Sequence, residues 1–396
     1  MYTFSKNAKL LTLLLMGIGV IAIAYGFYYD ASHHGHRMWP NLLLSNFFFL
    51  AVALGATFFL AVQYVAEAGW ATGLKRVMMG MGQHLVVGGG IMILILLVSV
   101  MHGNHLYHWM ADGIMDPNSE HYDSIIAGKK AFLNPAFFVI RGILYLAGWI
   151  WATWMLRKLS LQEDQVGGTE NYFKSRKVSA IFLVFFAVTS SMAAWDWIMS
   201  IDTHWFSTLF GWYVFASMFV SSLSMLALIT VHLKKQGYLP NVNVNHLHDV
   251  GKFMFAFSIF WTYLFFSQFM LYWYSNIPEE VVYFQERIQH YKVPFFTMLA
   301  INFVLPVFIM MTRDSKRAWN TVAVMAIVIM FGHWMDFYML IMPGTVHDHW
   351  HFGFVEIGTF LGFAGLYLFN TLRALSKAPL TPKNHPMLKE SELHHI

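Results

Sequence analysis

The chain has 396 residues, of which 57% are hydrophobic and only 12% charged, with a mean hydropathy of +0.51; a soluble domain carries roughly a quarter of its residues as charges. The absence of cysteine excludes a disulfide framework, a thiolate-held iron–sulfur cluster and a CxxCH haem attachment. The net charge of +4 comes from Lys and Arg in short loops between apolar runs, so membrane topology accounts for it rather than nucleic acid.

The first apolar run, Leu10 to Tyr29, follows Lys6 and Lys9. It is long enough to span and has no small-residue cleavage site behind it, which predicts a retained first helix. Comparable runs recur near 8–29, 41–66, 82–102, 135–157, 178–199, 208–232, 250–275, 293–312, 319–342 and 351–374. They predict an all-α integral membrane protein with about ten transmembrane helices in a single domain and a polar tail over 375–396. Helices are required because backbone groups in lipid must be satisfied within their own segment.

The N-terminus, the second, fourth, sixth and eighth loops and the tail hold most of the 25 Lys and Arg residues. The other loops hold only Arg37, Lys129, Lys130, Arg287 and Lys292. This bias predicts cytoplasmic N- and C-termini. Many histidines, among them His34, His105, His204, His347, His349 and His351, then fall toward the outer face. The short His347-Asp348-His349 tract is read as a hydrated loop rather than a metal site, since it lacks a second ligand cluster.

Several polar residues sit inside the apolar runs. Asp196, near the outer end of the fifth helix, shares a face with Thr189, Ala193 and Ser200. It is read as a proton-relay site continuing through Asp202 and His204, against the alternative of a hydrated helix end. An ionised Asp at bilayer depth costs about 2.5–3.5 kcal/mol and needs a partner, a proton or water. Arg141, inside the fourth helix, either pairs with Asp196 or snorkels to the headgroups. His333 and Asp336, three apart on the ninth helix, form either a proton-exchanging pair or a packing hydrogen bond. Gln63 and Glu67 at the inner end of the second helix, with His84 opening the third, suit an inward proton entry or simply an interface.

On the seventh helix Gln268, Tyr272 and Ser275 make a hydrogen-bonding stripe that leads to Glu279 and Glu280. This stripe is a candidate contact for a quinone headgroup, and a solvated terminus is the alternative. Glu356, in the first turns of the tenth helix, belongs to the same class. His84 and His333 lie at unmatched depths, which argues against a haem b pair.

The fifth and ninth helices echo each other: Trp195-Asp196-Trp197 with Met199 is matched by Trp334, Asp336, Phe337 and Met339, and His204-Trp205 by His349-Trp350. Four helices separate the copies, as a parallel duplication of a four-helix unit requires.

Three stretches together resemble the NrfD-like (PsrC/NrfD) membrane subunits, most closely the second such subunit (ActF type) of bacterial alternative complex III. They are WDWIMSIDTHWFSTLFG from Trp195, SQFMLYWYSNIPEE from Ser267 and HWMDFYMLIMPGTVHDHWHFGFVEIG from His333. The resemblance implies two four-helix bundles, 41–200 and 208–342, flanked by the first and last helices. It also implies a bacterial inner-membrane complex that oxidises menaquinol or ubiquinol and delivers electrons to cytochrome c through iron–sulfur and haem c subunits, beside a second NrfD-like subunit and membrane lipids. This chain carries no covalently bound cofactor in that reading and handles protons. A non-redox scaffold and a secondary transporter are the alternatives.

Overall fold

Apolar runs longer than a bilayer is thick leave the chain no choice but to fold as long helices packed side by side. In the computed structural model, which describes residues 1–33 and 36–395, ten helices are long and apolar enough to cross a membrane. They are α1 (Lys6–Ser32), α2 (Met38–Val65), α3 (Trp70–Val100), α4 (Pro135–Val166), α5 (Glu170–Ile201), α6 (Phe210–Lys235), α7 (Val244–Ser275), α8 (Lys292–Met310), α9 (Trp319–Val346) and α10 (Phe354–Leu375). Among the described residues there is no strand. His34 lies outside them.

Packing closes two rings. Helix α2 lies against α3 and α5 while α4 joins α3 to α5; α6 lies against α7 and α9 while α8 joins those two. Helices α2 and α6 pack on each other at the junction and are the most enclosed of the ten. Helices α1 and α10 form a separate pair against α2 and α3. Their contact is made by small residues: a methyl built on Gly19 meets the Gly362 backbone, and one built on Gly365 meets the Thr12 carbonyl and the Leu15 side chain. Close backbone approach of this kind drives helix pairing where no hydrophobic difference from lipid exists.

Local chemistry sets the helix ends. Asn134 caps α4 by accepting from Phe137 N at 2.9 Å, with Pro135 in the first turn. Asn243 caps α7 in a box with His246. The Lys316 ammonium donates to the carbonyl of Met310, the last residue of α8, and to those of Met311 and Thr312 just past it, at 2.7–2.9 Å. Within α8 the turn Ala300–Val304 is a π-helix, an irregularity that tends to mark functional positions.

Several helices run further than expected, because their terminal charges are paired rather than solvated. Helix α3 begins at Trp70 instead of near 82, so Lys75 and Arg76 are buried helix residues, not loop residues. Arg76 donates to Ser160 O at 2.8 Å and Asp164 Oδ2 at 2.7 Å, and Lys75 Nζ lies 2.8 Å from His385 Nε2. The tail folds back across both rings at this basic end: Lys383 N donates to Asp164 at 2.8 Å, Ser391 Oγ donates to Trp70 O at 2.8 Å, and His394 meets Asp249 at 2.7 Å. Burial, with Lys75 and Arg76 adding to it, pushes the His385 imidazole down to about 3.

A Gly362→Val substitution inserts volume where the two backbones touch. It should lower the unfolding free energy by about 1–3 kcal/mol, measured by detergent titration in a mixed micelle; an unchanged midpoint would show that the α1–α10 contact contributes nothing.

Candidate functional site

Two carboxylates lie at the centres of the two rings, each with no solvent exposure. In the first ring Arg141 of α4 grips Asp196 of α5 in the fork geometry favoured by guanidinium and carboxylate. Nε donates to Oδ2 at 2.8 Å and Nη2 to Oδ1 at 2.6 Å. Tyr145, one turn along α4, donates to Oδ2 at 2.9 Å. The remaining Arg141 nitrogen Nη1 donates to Phe132 O at 3.0 Å, and the rings of Phe132 and Phe137 cover the guanidinium at 4.0 and 4.1 Å. Two turns deeper Trp149 Nε1 donates to Thr189 Oγ1 at 2.9 Å. Of the two options for Arg141, pairing is the one present.

In the second ring Asp336 of α9 has only neutral donors. Tyr213 of α6 makes a very short contact to Oδ1, and Trp261 Nε1 of α7 donates to Oδ2 at 2.8 Å. His333 makes the packing hydrogen bond of the two options: its Nδ1 meets Ser217 Oγ at 2.9 Å, and it lies 3.7 Å from Asp336 Oδ2, within ion-pair range but too far for a hydrogen bond. The helix spacing puts both on one face, but the shorter reach to Ser217 on α6 takes the imidazole. Its Nε2 has no partner among the described residues. Nearby on the π-turn, Asn302 is fully buried against Gly332, with both amide atoms unpartnered.

The two centres correspond in position and differ in chemistry. Each Asp sits on the last helix of its ring, and the aromatic residue after it, Trp197 or Phe337, packs on Phe47 of α2 at 6.2 or 5.3 Å. The donors come from α4 in one ring and from α6 and α7 in the other.

Past α5, at the histidine-rich end, the expected Asp202–His204 relay separates into two contacts. Asp202 pairs with Arg287 at 3.0 Å, a buried residue of the short helix Pro278–His290. Arg287 also donates to Met339 O at 3.0 Å and Tyr283 O at 2.8 Å. Gly344 touches Asp202 so closely that any side chain would strike its carboxylate. His204 instead meets Asp123 at 2.6 Å at an exposed site. Asp123 also caps the helix Ser124–Gly128, and the Ile126 amide and then the His204 hydrogen bond hold its carboxyl below the ordinary 3.8. A cavity of about 630 Å³ opens over these groups, lined by His102, His105, His108, Asp202, Glu279 and Glu286 among others. A smaller one of about 250 Å³, lined by Phe132, Trp195, Met199 and Phe206 with Lys129, abuts the cover of Arg141.

The quinone candidates do not converge. Tyr272 spends its hydroxyl on Phe206 O at 2.6 Å beneath the Trp205–Tyr283 stack, and Gln268 is buried one turn below. Glu279 lines the larger cavity, whereas neither Glu280 nor Gln268 does. The inner proton entry also fails to assemble. Glu67, in a left-handed turn past α2, pairs with Arg176 at the surface. His84 lies fully buried in the middle of the longer α3, against Tyr367 and Asn370. Glu356 is no solvated terminus: it is buried and accepts from Arg37 Nε at 2.5 Å, Asn41 at 3.0 Å and Gly353 N at 2.9 Å.

Reasoning from the sequence missed Tyr145, Tyr213, Trp261, Arg287 and Asn302. Only Tyr145 was signalled there, one turn from Arg141. No group of three or more His, Asp or Glu among the described residues is arranged to hold a metal ion. A scan against protein-family models finds no match, and a search of curated proteins finds none either.

Removing Arg141 while leaving Asp196 strands a buried charge. Arg141→Ala should destabilise the protein by about 3–5 kcal/mol, and the added change Asp196→Asn should recover most of that loss. Equal melting temperatures for the single and double variants would refute the pairing energy. A second expectation concerns pH. Because the folded Asp123 titrates below its unfolded value, its capping contribution is complete above the ordinary value and is lost as pH falls through the folded one. Amide exchange protection over Ser124–Gly128 should therefore hold above about pH 4 and drop as the pH falls further, and Asp123→Ala should abolish that dependence.

Proposed function

We propose that this chain is an NrfD-like, multi-pass subunit of a bacterial inner-membrane quinol:cytochrome c oxidoreductase, and that it transfers protons toward the periplasmic, histidine-rich face. The observation that carries this reading is the pair of fully buried carboxylates at equivalent places in adjacent four-helix rings, one ion-paired and the other held by neutral donors. Lipid-depth carboxylates are costly and concentrate at proton and substrate paths.

Quinol oxidation releases two protons, which must find acceptors as the electrons leave. Asp336, held by Tyr213 and Trp261 and flanked by His333, accepts a proton without breaking an ion pair. Asp196 exchanges one only when its Arg141 fork opens. From α5 the route leads through Ser200 and Asp202 into the cavity lined by His105, His108 and Glu286. A menaquinol or ubiquinol headgroup in the smaller cavity lies against Phe132, which covers Arg141, the partner of Asp196. Iron–sulfur and haem c subunits supply the electron path, with the second NrfD-like subunit alongside.

One observation favours a second reading. The Asp196 carboxylate already has three donors, as in a structural ion pair, and this suits a non-redox scaffold that anchors the iron–sulfur and haem c subunits.

Asp336→Asn in the purified complex should cut quinol turnover and proton release by about 100-fold or more, within the range of a lost general base, while leaving assembly intact. Asp196→Asn should act in the same direction. If both variants turn over and release protons as the unsubstituted complex does, the relay fails and the scaffold reading stands.

A further inference from the structure

Away from both carboxylate centres, the seam where α10 lies against α2 and α3 carries a row of buried polar atoms that the helices leave without partners. At the histidine-rich end the row starts on the Arg37–Glu356 pair, with His351 O accepting from Arg37 Nη2 at 2.7 Å. Asn41 follows one turn along α2. Its amide nitrogen reaches Glu356 and Arg37 O, but its Oδ1 accepts nothing. Ser45, one further turn along the same face, and Thr359 of α10, one turn past Glu356, both leave their hydroxyls unpaired.

Asn46 gives its amide nitrogen to Gly88 O of α3 at 3.0 Å while its Oδ1 stays open. His84, beside Gly88 and under Tyr367, has a free Nε2. The Tyr367 and Thr371 hydroxyls, one turn apart on α10, have only each other within reach. Asn41, Ser45, Asn46, His84, Thr359, Tyr367 and Thr371 all have zero exposure. Glu356 to Thr371 spans about 22 Å at the helical rise, most of a hydrocarbon core about 30 Å thick.

Native proteins rarely leave a buried hydroxyl, amide oxygen or ring nitrogen unpaired, because each costs about 1–3 kcal/mol. Here such atoms recur turn after turn along α2 and α10, and the contacts of Asn41 with Glu356, Asn46 with Gly88 and His84 with Tyr367 place the row at the seam. An apolar contact between α10 and α2 would be better served by the small residues that join α1 to α10. The geometry points to a ligand, and we propose that it is water: a row of ordered molecules along the α2–α3–α10 seam, linking the Arg37–Glu356 pair to His84. Water alone fits this mixture of donors and acceptors, each able to offer one or two hydrogen bonds to a molecule needing two to four. The row is independent of the proton-relay reading above, since it touches neither Asp196 nor Asp336.

The natural absence of cysteine makes every introduced thiol unique. Ser45→Cys, Thr359→Cys and Thr371→Cys, in native membranes, are transferred to D2O beside Leu94→Cys, a control on the exposed apolar face of α3, and the infrared S–H band of each is followed. A thiol proton exchanges only where water reaches it, so the three seam thiols should convert to S–D faster than the control; rates equal to the control would overturn the proposal. Where a variant fails to fold, hydroxyl-radical footprinting of the unsubstituted protein decides. Tyr367 should be labelled, after correction for intrinsic reactivity, well above the equally buried Phe138. An unlabelled Tyr367 would mean a dry seam.

Discussion

A carboxylate withdrawn from water must be given donors by the protein, and in this molecule that demand fixes how helices meet. Asp196 takes three hydrogen bonds from two residues one turn apart on α4, so α4 and α5 can pack in only one register and one rotation. The third arm of Arg141 ties down the Phe132 carbonyl, which carries the constraint from the ring centre into the loop above it. Loss of either partner leaves a charge with nothing to offset it, and such pairs are therefore far more sensitive to single deletion than to joint replacement.

The second ring solves the same problem differently. Asp336 draws neutral donors from α6 and α7, helices that are not its chain neighbours, and its adjacent imidazole turns to Ser217. One ring thus holds a closed ion pair and the other a carboxyl group with neutral donors and an unpartnered imidazole nitrogen nearby. Two copies of one arrangement would have equal affinity for a proton, whereas two different arrangements allow directional transfer. That asymmetry is the structural basis of the proposed function.

The two ends of the molecule are closed by different means. At the histidine-rich end Arg287 gathers Asp202, the Tyr283 carbonyl and the Met339 carbonyl, joining the loop after α5 to α9 around an open cavity. At the basic end the tail lies over Lys75, Asp164 and Asp249, so charges that would otherwise face solvent are paired inside. The two ends thus differ in how their charges are held, around a cavity at one and under the folded-back tail at the other.

The ten helices could be read from the amino-acid order alone, because hydrocarbon thickness sets a minimum apolar length and loop residues interrupt it. Arg141, Asp196 and Asp336 also stood out, because a charge inside an apolar run needs a partner, a proton or water. Helix ends were misjudged at Lys75 and Arg76, where pairing with Asp164 and His385 substitutes for solvent and nothing local announces it. Choosing which donor meets which acceptor was beyond the sequence. Ser217 outcompetes Asp336 for His333, Asp123 outcompetes Asp202 for His204, and Arg37 finds Glu356 more than three hundred residues away. Hydrophobic length is a property of each segment taken singly, so the sequence determined the helices; hydrogen bonding is decided by distances of a few tenths of an ångström between segments, so only the packed structure determined the sites.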